Sequence, residues 1–378
     1  MGKYFGTDGI RGIAGKTLTD SVAKNIGNAL KKTFNQQTVI IGEDTRKSSN
    51  LLALSVALGA MQSGMDVLYA GVVSTPMIAH YAKSKEIIGV MVTASHNPYQ
   101  DNGIKLFNEG IKMNETEEET VEKYIDGDLT LDEVLFGSFK PVDITSHYET
   151  LYESFKANTT NQSVTIDTAN GATSFVAEAI LKQGIDELHV IHNQPDGFNI
   201  NVECGSTHIE ALKEAIVKNK SDLGFAFDGD GDRVLGIDHQ GKIYDGDLLV
   251  YILAVHLKKQ NKLNKNTVVL TKMSNPGIVK ALKAQKIKTI RTDVGDKHVA
   301  AEIKKGNYSL GGENSGHIIM NDLLATGDGI LVASQILKVL QDTKQTLSSL
   351  VEGVVYYPQK LVNIKDDIIK QRGCNYFG

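Results

Sequence analysis

Three short stretches of the chain carry side chains whose types and spacing can do chemistry. The first is Thr93-Ala94-Ser95-His96-Asn97-Pro98, directly after the apolar run IIGVMV. A serine at a strand end, in a loop closed by proline, is expected to be presented rather than buried. A nucleophilic hydroxyl needs such access and a partner for its proton. The same residues also read as a plain turn, because Asn-Pro favours extended or turn geometry. They do not form the G-x-S-x-G elbow of a hydrolase, so serine-esterase chemistry finds no support.

The second stretch is Asp228-Gly229-Asp230-Gly231-Asp232-Arg233, after the apolar LGFAF. Alternating aspartates can turn several carboxylates toward one hard cation. Mg²⁺ takes oxygen ligands at about 2.0–2.1 Å and usually keeps phosphate oxygens or waters in its shell. A calcium hand also opens D-x-D-x-D, but its sixth position would be Gly and its twelfth Glu, where this chain has Arg233 and His239. An acidic surface turn is the plainer alternative. Three unpaired carboxylates behind a buried strand repel one another, which favours a cation.

The third stretch is Gly311-Gly312-Glu313-Asn314-Ser315-Gly316-His317, after NYSL. Its glycines leave room for a ligand, and Glu313, Ser315 and His317 offer groups that bond hydroxyls. A polar hairpin loop is the alternative. Arg11 in FGTDGIRG (5–12) suits bridging phosphate and carboxylate, and Lys105 lies a few residues beyond Ser95 in DNGIKLF.

The elements that must position these groups recur along the chain. A short β-branched run, a loop rich in Gly or Ser, and a stretch of helical spacing follow one another at TVIIGEDTR (38–46), DVLYAGVVSTP (66–76), SVTIDTANGA (163–172) and TVVLTKMSNPG (267–277). Apolar strands without strict alternation imply sheets covered by helices on both faces. The fold class is α/β, expected as three successive modules with mixed sheets. The boundaries fall at 1–143, with the Ser95 loop; 144–242, with the aspartate loop; and 243–358, with the GGENSGH loop. Residues 114–133 read as a solvated acidic helix and linker, and ATGDGI (325–330) as a helix start capped by Thr326 or Asp328.

A chain of 378 residues exceeds one ordinary core, which agrees with several modules. The net charge of -5 supplies no basic field for nucleic acid or an anionic membrane. The N-terminal MGKYFGTDGIRG has no apolar signal core, no apolar run is long enough to span a bilayer, and Cys204 and Cys374 are too few for a disulfide scaffold. A cytoplasmic location follows by elimination.

Taken in order, FGTDGIRG, TASHNP, DNGIK, DGDGDR and GGENSGH resemble the successive landmarks of the α-D-phosphohexomutase superfamily. PDGFNINVECGSTH (195–208) and TGDGI are similar to phosphoglucosamine mutases within it, and the likeness to phosphomannomutases and phosphoglucomutases is looser. The resemblance implies interconversion of glucosamine 6-phosphate and glucosamine 1-phosphate through a phosphoserine at Ser95 and a bisphosphate intermediate. It implies one Mg²⁺ per chain, shared by Ser95, Asp228, Asp230 and Asp232, with glucose or glucosamine 1,6-bisphosphate as activator. Arg11, His96 and Lys105 fall at catalytic positions. Lys105 is the expected general acid/base, provided that burial or cationic neighbours lower its pKa. Arg233, Glu313, Ser315 and His317 fall at substrate-binding positions, and Asp296, Lys297 and His298 lie in a further family loop without an assigned role. The implied partner is a small hexosamine phosphate, and a homodimer is compatible with the family.

The resemblance fades after about Val362. A fourth-domain loop of the form R-x-S-G-T-E-P is not found, so 359–378 is expected to be a stub in place of that domain. Because such a loop holds the non-transferring phosphate, a relative that binds sugar phosphate without turnover is a further alternative. Glu43 in GEDTR and Ile209 after GSTH also depart from the family's usual Arg and Pro.

Overall fold

The computed structural model describes residues 3–6, 8–156 and 160–359. The expected stub therefore lies outside the described residues, apart from Gln359. Among the described residues, three mixed sheets follow one another, as the strand-loop-helix pattern implied. In the first, the strands Ile88–Val92, Thr38–Glu43, Asp66–Val72 and Phe139–Pro141 run parallel, and Asp101–Asn108 returns antiparallel beside Ile88–Val92. In the second, Ile185–Ile191, Thr160–Asp167 and Leu223–Phe227 are parallel, and Val234–Asp238 returns antiparallel. The third repeats the plan with Lys288–Thr292, Thr267–Thr271 and Leu310–Gly312, then Ile318–Met320 antiparallel.

This shared plan places the chemistry. In each sheet, one of the three singled-out loops joins a buried parallel strand to its antiparallel return. Residues 93–100 do so in the first sheet, 228–233 in the second and 313–317 in the third. The preceding strands Ile88–Val92, Leu223–Phe227 and Leu310–Gly312 are buried at every position. Each loop is thus anchored by a strand that cannot slip without moving apolar side chains into water.

Helices pack on the sheets as expected from their apolar spacing. One core fills the space around Gly246–Lys259 and Gly329–Thr343 and runs into the second and third sheets. Asp328 caps the latter helix by accepting from Leu331 N at 3.0 Å, and Tyr148 Oη donates to the same carboxylate at 2.7 Å. The acidic segment at 114–133 forms the helix Glu115–Ile125, closed by an Asn114–Glu117 capping box. It is more than a solvated linker, because Val121 and Tyr124 are buried in the core of the first sheet. The segment 351–359 lies along the third module, where Asn275 Nδ2 donates to Tyr357 O at 2.7 Å.

The second core covers the other face of the first sheet, beneath Asp20–Phe34 and Ser49–Gln62. These two helices cross at Gly27 and Gly59. A Cβ on Gly59 would stand 2.0 Å from Lys24 O, and one on Gly27 would stand 2.1 Å from Val56 O. Alanine is the better helix former by about 1 kcal/mol. At this crossing it has to push two backbones apart. Gly59→Ala is therefore expected to destabilise the protein by about 1–3 kcal/mol in urea unfolding; a gain in stability would show that propensity outweighs the close crossing.

Candidate active site

The Ser95 loop meets the aspartate loop across the boundary of the first two sheets. Ser95 Oγ donates to Asp228 Oδ2 at 2.5 Å, and His96 Nδ1 lies 3.3 Å from the same hydroxyl. Ser95 has a left-handed backbone, φ 52°, a cost that its surroundings must hold in place. They do so from several sides. Ser95 N donates to Thr93 Oγ1 at 2.9 Å, and Thr93 Oγ1 donates to Asp44 Oδ2 at 2.7 Å. Arg46 pairs with Asp44 and donates to Ser95 O at 3.1 Å, while Asn201 Nδ2 donates to the same carbonyl at 2.9 Å.

One expectation needs correction here. Ser95 is fully buried rather than presented. The reason is the second sheet: Gly229 packs so closely that a Cβ there would stand 2.6 Å from Ser95 O. Read alone, the serine loop ends in open space; the cover comes from a segment more than a hundred residues away.

Asp228, Asp230 and Asp232 are all buried, and one oxygen from each lies within 4.8 Å of the others. Burial and the charges of Asp230 and Asp232 push the Asp228 carboxyl well above the usual carboxylate range. Its Oδ1 accepts from Arg233 N at 3.1 Å. Asp230 Oδ1 and Asp232 Oδ1 are buried without a hydrogen-bond partner. Orphaned carboxylate oxygens of this kind are costly, and a hard divalent cation satisfies them in a way that a neutral neighbour cannot.

Lys105 is the internal counter-charge. Its Nζ lies 2.7 Å from Asp230 Oδ2, 2.9 Å from Asp232 Oδ2 and 3.1 Å from Asp8 Oδ2. Burial alone would lower the Lys105 pKa, but the carboxylates reverse this and raise it well above the ordinary value. The lowering attached to its acid/base role is therefore not met. Burial likewise pushes Asp232 up, yet Lys105 and then His317 draw it below the usual range. Thr75 adds a 2.5 Å hydrogen bond to Asp230 Oδ2.

Arg11 Nη2 pairs with Asp8 Oδ2 at 2.5 Å, and Nη1 donates to Asn97 Oδ1 at 2.9 Å. Arg11, His96 and Arg233 line a cleft of about 350 Å³ with Asp8 and Tyr4. Burial, then Arg233 and Arg11, lower the His96 pKa to about 4, so its imidazole is neutral near pH 7. The third loop joins through the backbone bridge between Arg233 and His317. His317 is buried, with neither ring nitrogen hydrogen-bonded. Its Nε2 lies 3.5 Å from Asp296 Oδ2 and 4.0 Å from Asp232 Oδ2. Glu313 Oε1 accepts from Gly295 N at 2.8 Å, so that oxygen holds the neighbouring loop. Ser315 Oγ has no hydrogen-bond partner.

Several participants were not singled out in advance. Asp8 joins Lys105, Arg11 and Lys112, and Lys112 pairs with both Asp8 and Asp296, tying the first sheet to the third. Asp8 stands inside FGTDGIRG, three residues before Arg11. Lys112 had no motif around it. Asp296, Lys297 and His298, named without a role, line with Lys112 and His317 a second cavity of about 430 Å³.

Comparison with known proteins finds three successive family domains along the chain. The phosphoglucomutase/phosphomannomutase alpha/beta/alpha domains I, II and III match residues 2–131, 145–241 and 245–357. The chain is 43% identical to the phosphoglucosamine mutase of Shouchella clausii, covering 97% of this chain and 84% of the relative. It is 44% identical to that of Caldicellulosiruptor saccharolyticus over the same shares. A phosphoglucomutase/phosphomannomutase family protein of Burkholderia thailandensis superposes with a TM-score of 0.81 at 25% identity, over 92% of this chain and 79% of that one. The N-acetylphosphoglucosamine mutase of Aspergillus fumigatus, solved with GlcNAc-6P and magnesium, shares the fold at a TM-score of 0.67 and 18% identity, over 95% of this chain and 81% of that one.

Replacing Lys105 by Met leaves buried carboxylates without their counter-charge. In EDTA at neutral pH, Lys105→Met is expected to cost about 3–5 kcal/mol in urea unfolding. The Asp232 pKa is depressed in the folded state, so the lost contribution is one present above the unfolded carboxylate range. The gap between variant and wild type should therefore narrow as the pH falls below about 4. Equal stability of the two proteins at neutral pH would contradict this account of the cluster.

Proposed function

The chain belongs to the phosphoglucomutase/phosphomannomutase family, and we propose that it interconverts glucosamine 6-phosphate and glucosamine 1-phosphate through a phosphoryl group carried on Ser95. The observation that carries the chemistry is the Ser95 hydroxyl, 2.5 Å from the carboxylate of Asp228 at the edge of a buried three-aspartate cluster. The choice of glucosamine phosphate is supported by the curated relatives, which are phosphoglucosamine mutases.

In this reading Asp228, Asp230 and Asp232 would hold one Mg²⁺, consistent with the orphaned buried oxygens of Asp230 and Asp232. Bound there, it would neutralise charge that spreads over the transferring phosphoryl oxygens. The rest falls to the chain. The bond from phosphorus to Ser95 Oγ breaks as a sugar hydroxyl oxygen bonds to phosphorus. The hydroxyl proton ends on Ser95 Oγ, leaving a sugar bisphosphate. The reverse transfer, from the other phosphoryl group after the sugar reorients, restores the phosphoserine and yields the isomer.

Lys105 is the proposed relay for that proton. Its three carboxylate partners keep it an ammonium, and a cation on Asp230 and Asp232 would withdraw that support. Neutral His96, 3.3 Å from the Ser95 hydroxyl, supports the serine without adding charge. Arg11 and Arg233 face the cleft where phosphate oxygens would lie, and a planar guanidinium suits that contact. Glu313, Ser315 and His317 are the proposed contacts to the sugar hydroxyls. Such catalysis rests mostly on positioning and electrostatics.

Incubation with labelled glucose 1,6-bisphosphate and Mg²⁺ is expected to leave one phosphoryl group per chain on the wild type, mapped to Ser95, and background label on Ser95→Ala. Retained label on the variant would refute the carrier assignment. In a coupled assay kcat/KM should be highest on glucosamine phosphate. A higher value on mannose or glucose phosphate would reassign the substrate.

A further inference from the structure

Behind the catalytic loops, the second sheet gathers a set of side chains that the proposed reaction does not use. Asp167 ends the strand Thr160–Asp167, His192 follows the neighbouring strand Ile185–Ile191, and Cys204 stands in the long loop that returns toward Ser95. A carboxylate oxygen of Asp167, a ring nitrogen of His192 and the sulfur of Cys204 all lie within 4.8 Å of one another. Asp167 and Cys204 are fully buried, while the His192 side chain is about one-third exposed, which leaves an approach from solvent. His192 Nδ1 points inward, 3.1 Å from Asp167 Oδ2.

We propose that Asp167, His192 and Cys204 form a binding site for a thiophilic divalent cation, of which Zn²⁺ is the type. Thiolate, imidazole and carboxylate together make a zinc donor set, whereas the all-oxygen aspartate cluster suits Mg²⁺. Zn²⁺ binds these donors at about 2.0–2.3 Å, which spaces donors in a tetrahedron by about 3.5 Å. The three donors, within 4.8 Å of one another and with His192 Nδ1 and Asp167 Oδ2 already at 3.1 Å, lie near that spacing. Water from the His192 side completes the fourth position.

The backbone already holds the Asp167 carboxylate, and a side-chain amide approaches the sulfur. Asp167 Oδ1 accepts from Ala169 N at 2.9 Å, and Oδ2 accepts from Gly205 N at 2.9 Å, beside Cys204. Asn170 Nδ2 approaches the Cys204 sulfur at 3.9 Å. The neutral thiol is the ground state without metal, since burial pushes its pKa up to about 12. Binding of the cation therefore releases the thiol proton to solvent. The consequence reaches the catalytic loop: Asn201, three residues before Cys204, donates to both Ser95 O and Asn97 O. A cation here would clip the 192–205 segment to the sheet and stiffen the support beneath Ser95.

Co²⁺ is the probe, because only a thiolate ligand gives it an intense near-ultraviolet charge-transfer band. Titration of the full chain with Co²⁺ in excess Mg²⁺, which occupies the aspartate cluster, is expected to give this band at one equivalent, and Zn²⁺ should bleach it. Cys204→Ser should abolish the band and Cys374→Ser should keep it. His192→Gly, which suits the left-handed backbone at this position (φ 52°), should weaken Co²⁺ binding about tenfold or more. A wild type without the band, or a band that persists in Cys204→Ser, overturns the site. None of these readings depends on mutase activity.

Discussion

Three carboxylates brought within 4.8 Å of each other, away from water, set the terms for the rest of this protein. Like charges so placed cannot all ionise without compensation, and the chain supplies only part of it. Lys105 spans Asp230 and Asp232, while Asp228, drawn well above the ordinary range, faces the serine. The cluster is thus poised between an internal ammonium and an external cation. Exchange of one for the other would set both the charge around Ser95 and the protonation of Lys105.

Position follows from topology. Each module ends a buried parallel strand in a loop and returns antiparallel, and the three loops meet. The Ser95 loop and the aspartate loop share the 2.5 Å hydrogen bond, and the aspartate and third loops share the bridge from Arg233 to His317. Backbone contacts this tight demand glycine: a Cβ on Gly316 would stand 2.4 Å from Val234 O. The site is accordingly a product of how three sheets abut, with charged ties such as Lys112 between Asp8 and Asp296 closing the ring.

Much of this was legible in the chain because it is local. Apolar runs marked the strands, Thr326 or Asp328 was readable as a helix cap, of which Asp328 is the one observed, and the D-G-D-G-D spacing marked carboxylates that a cation would reconcile. What was not legible is what arises between modules. The burial of Ser95 comes from Gly229, the raised pKa of Lys105 from Asp230 and Asp232, and neither is visible in the residues flanking them. Lys112 carried no signal at all, since a lysine on a short edge strand is ordinarily solvated. The helix Glu115–Ile125 shows the same limit in reverse: its acidic face was plain, and the burial of Val121 and Tyr124 was not.

The exchange between Lys105 and a divalent cation is the central claim, and calorimetric titration of Mg²⁺ into unphosphorylated wild type and Lys105→Met tests it directly. If the ammonium holds the place of the cation, its removal should tighten Mg²⁺ binding about tenfold or more, a change of about 1.4 kcal/mol or above. Binding that is unchanged or weaker in the variant would mean that the lysine and the metal do not share those carboxylates.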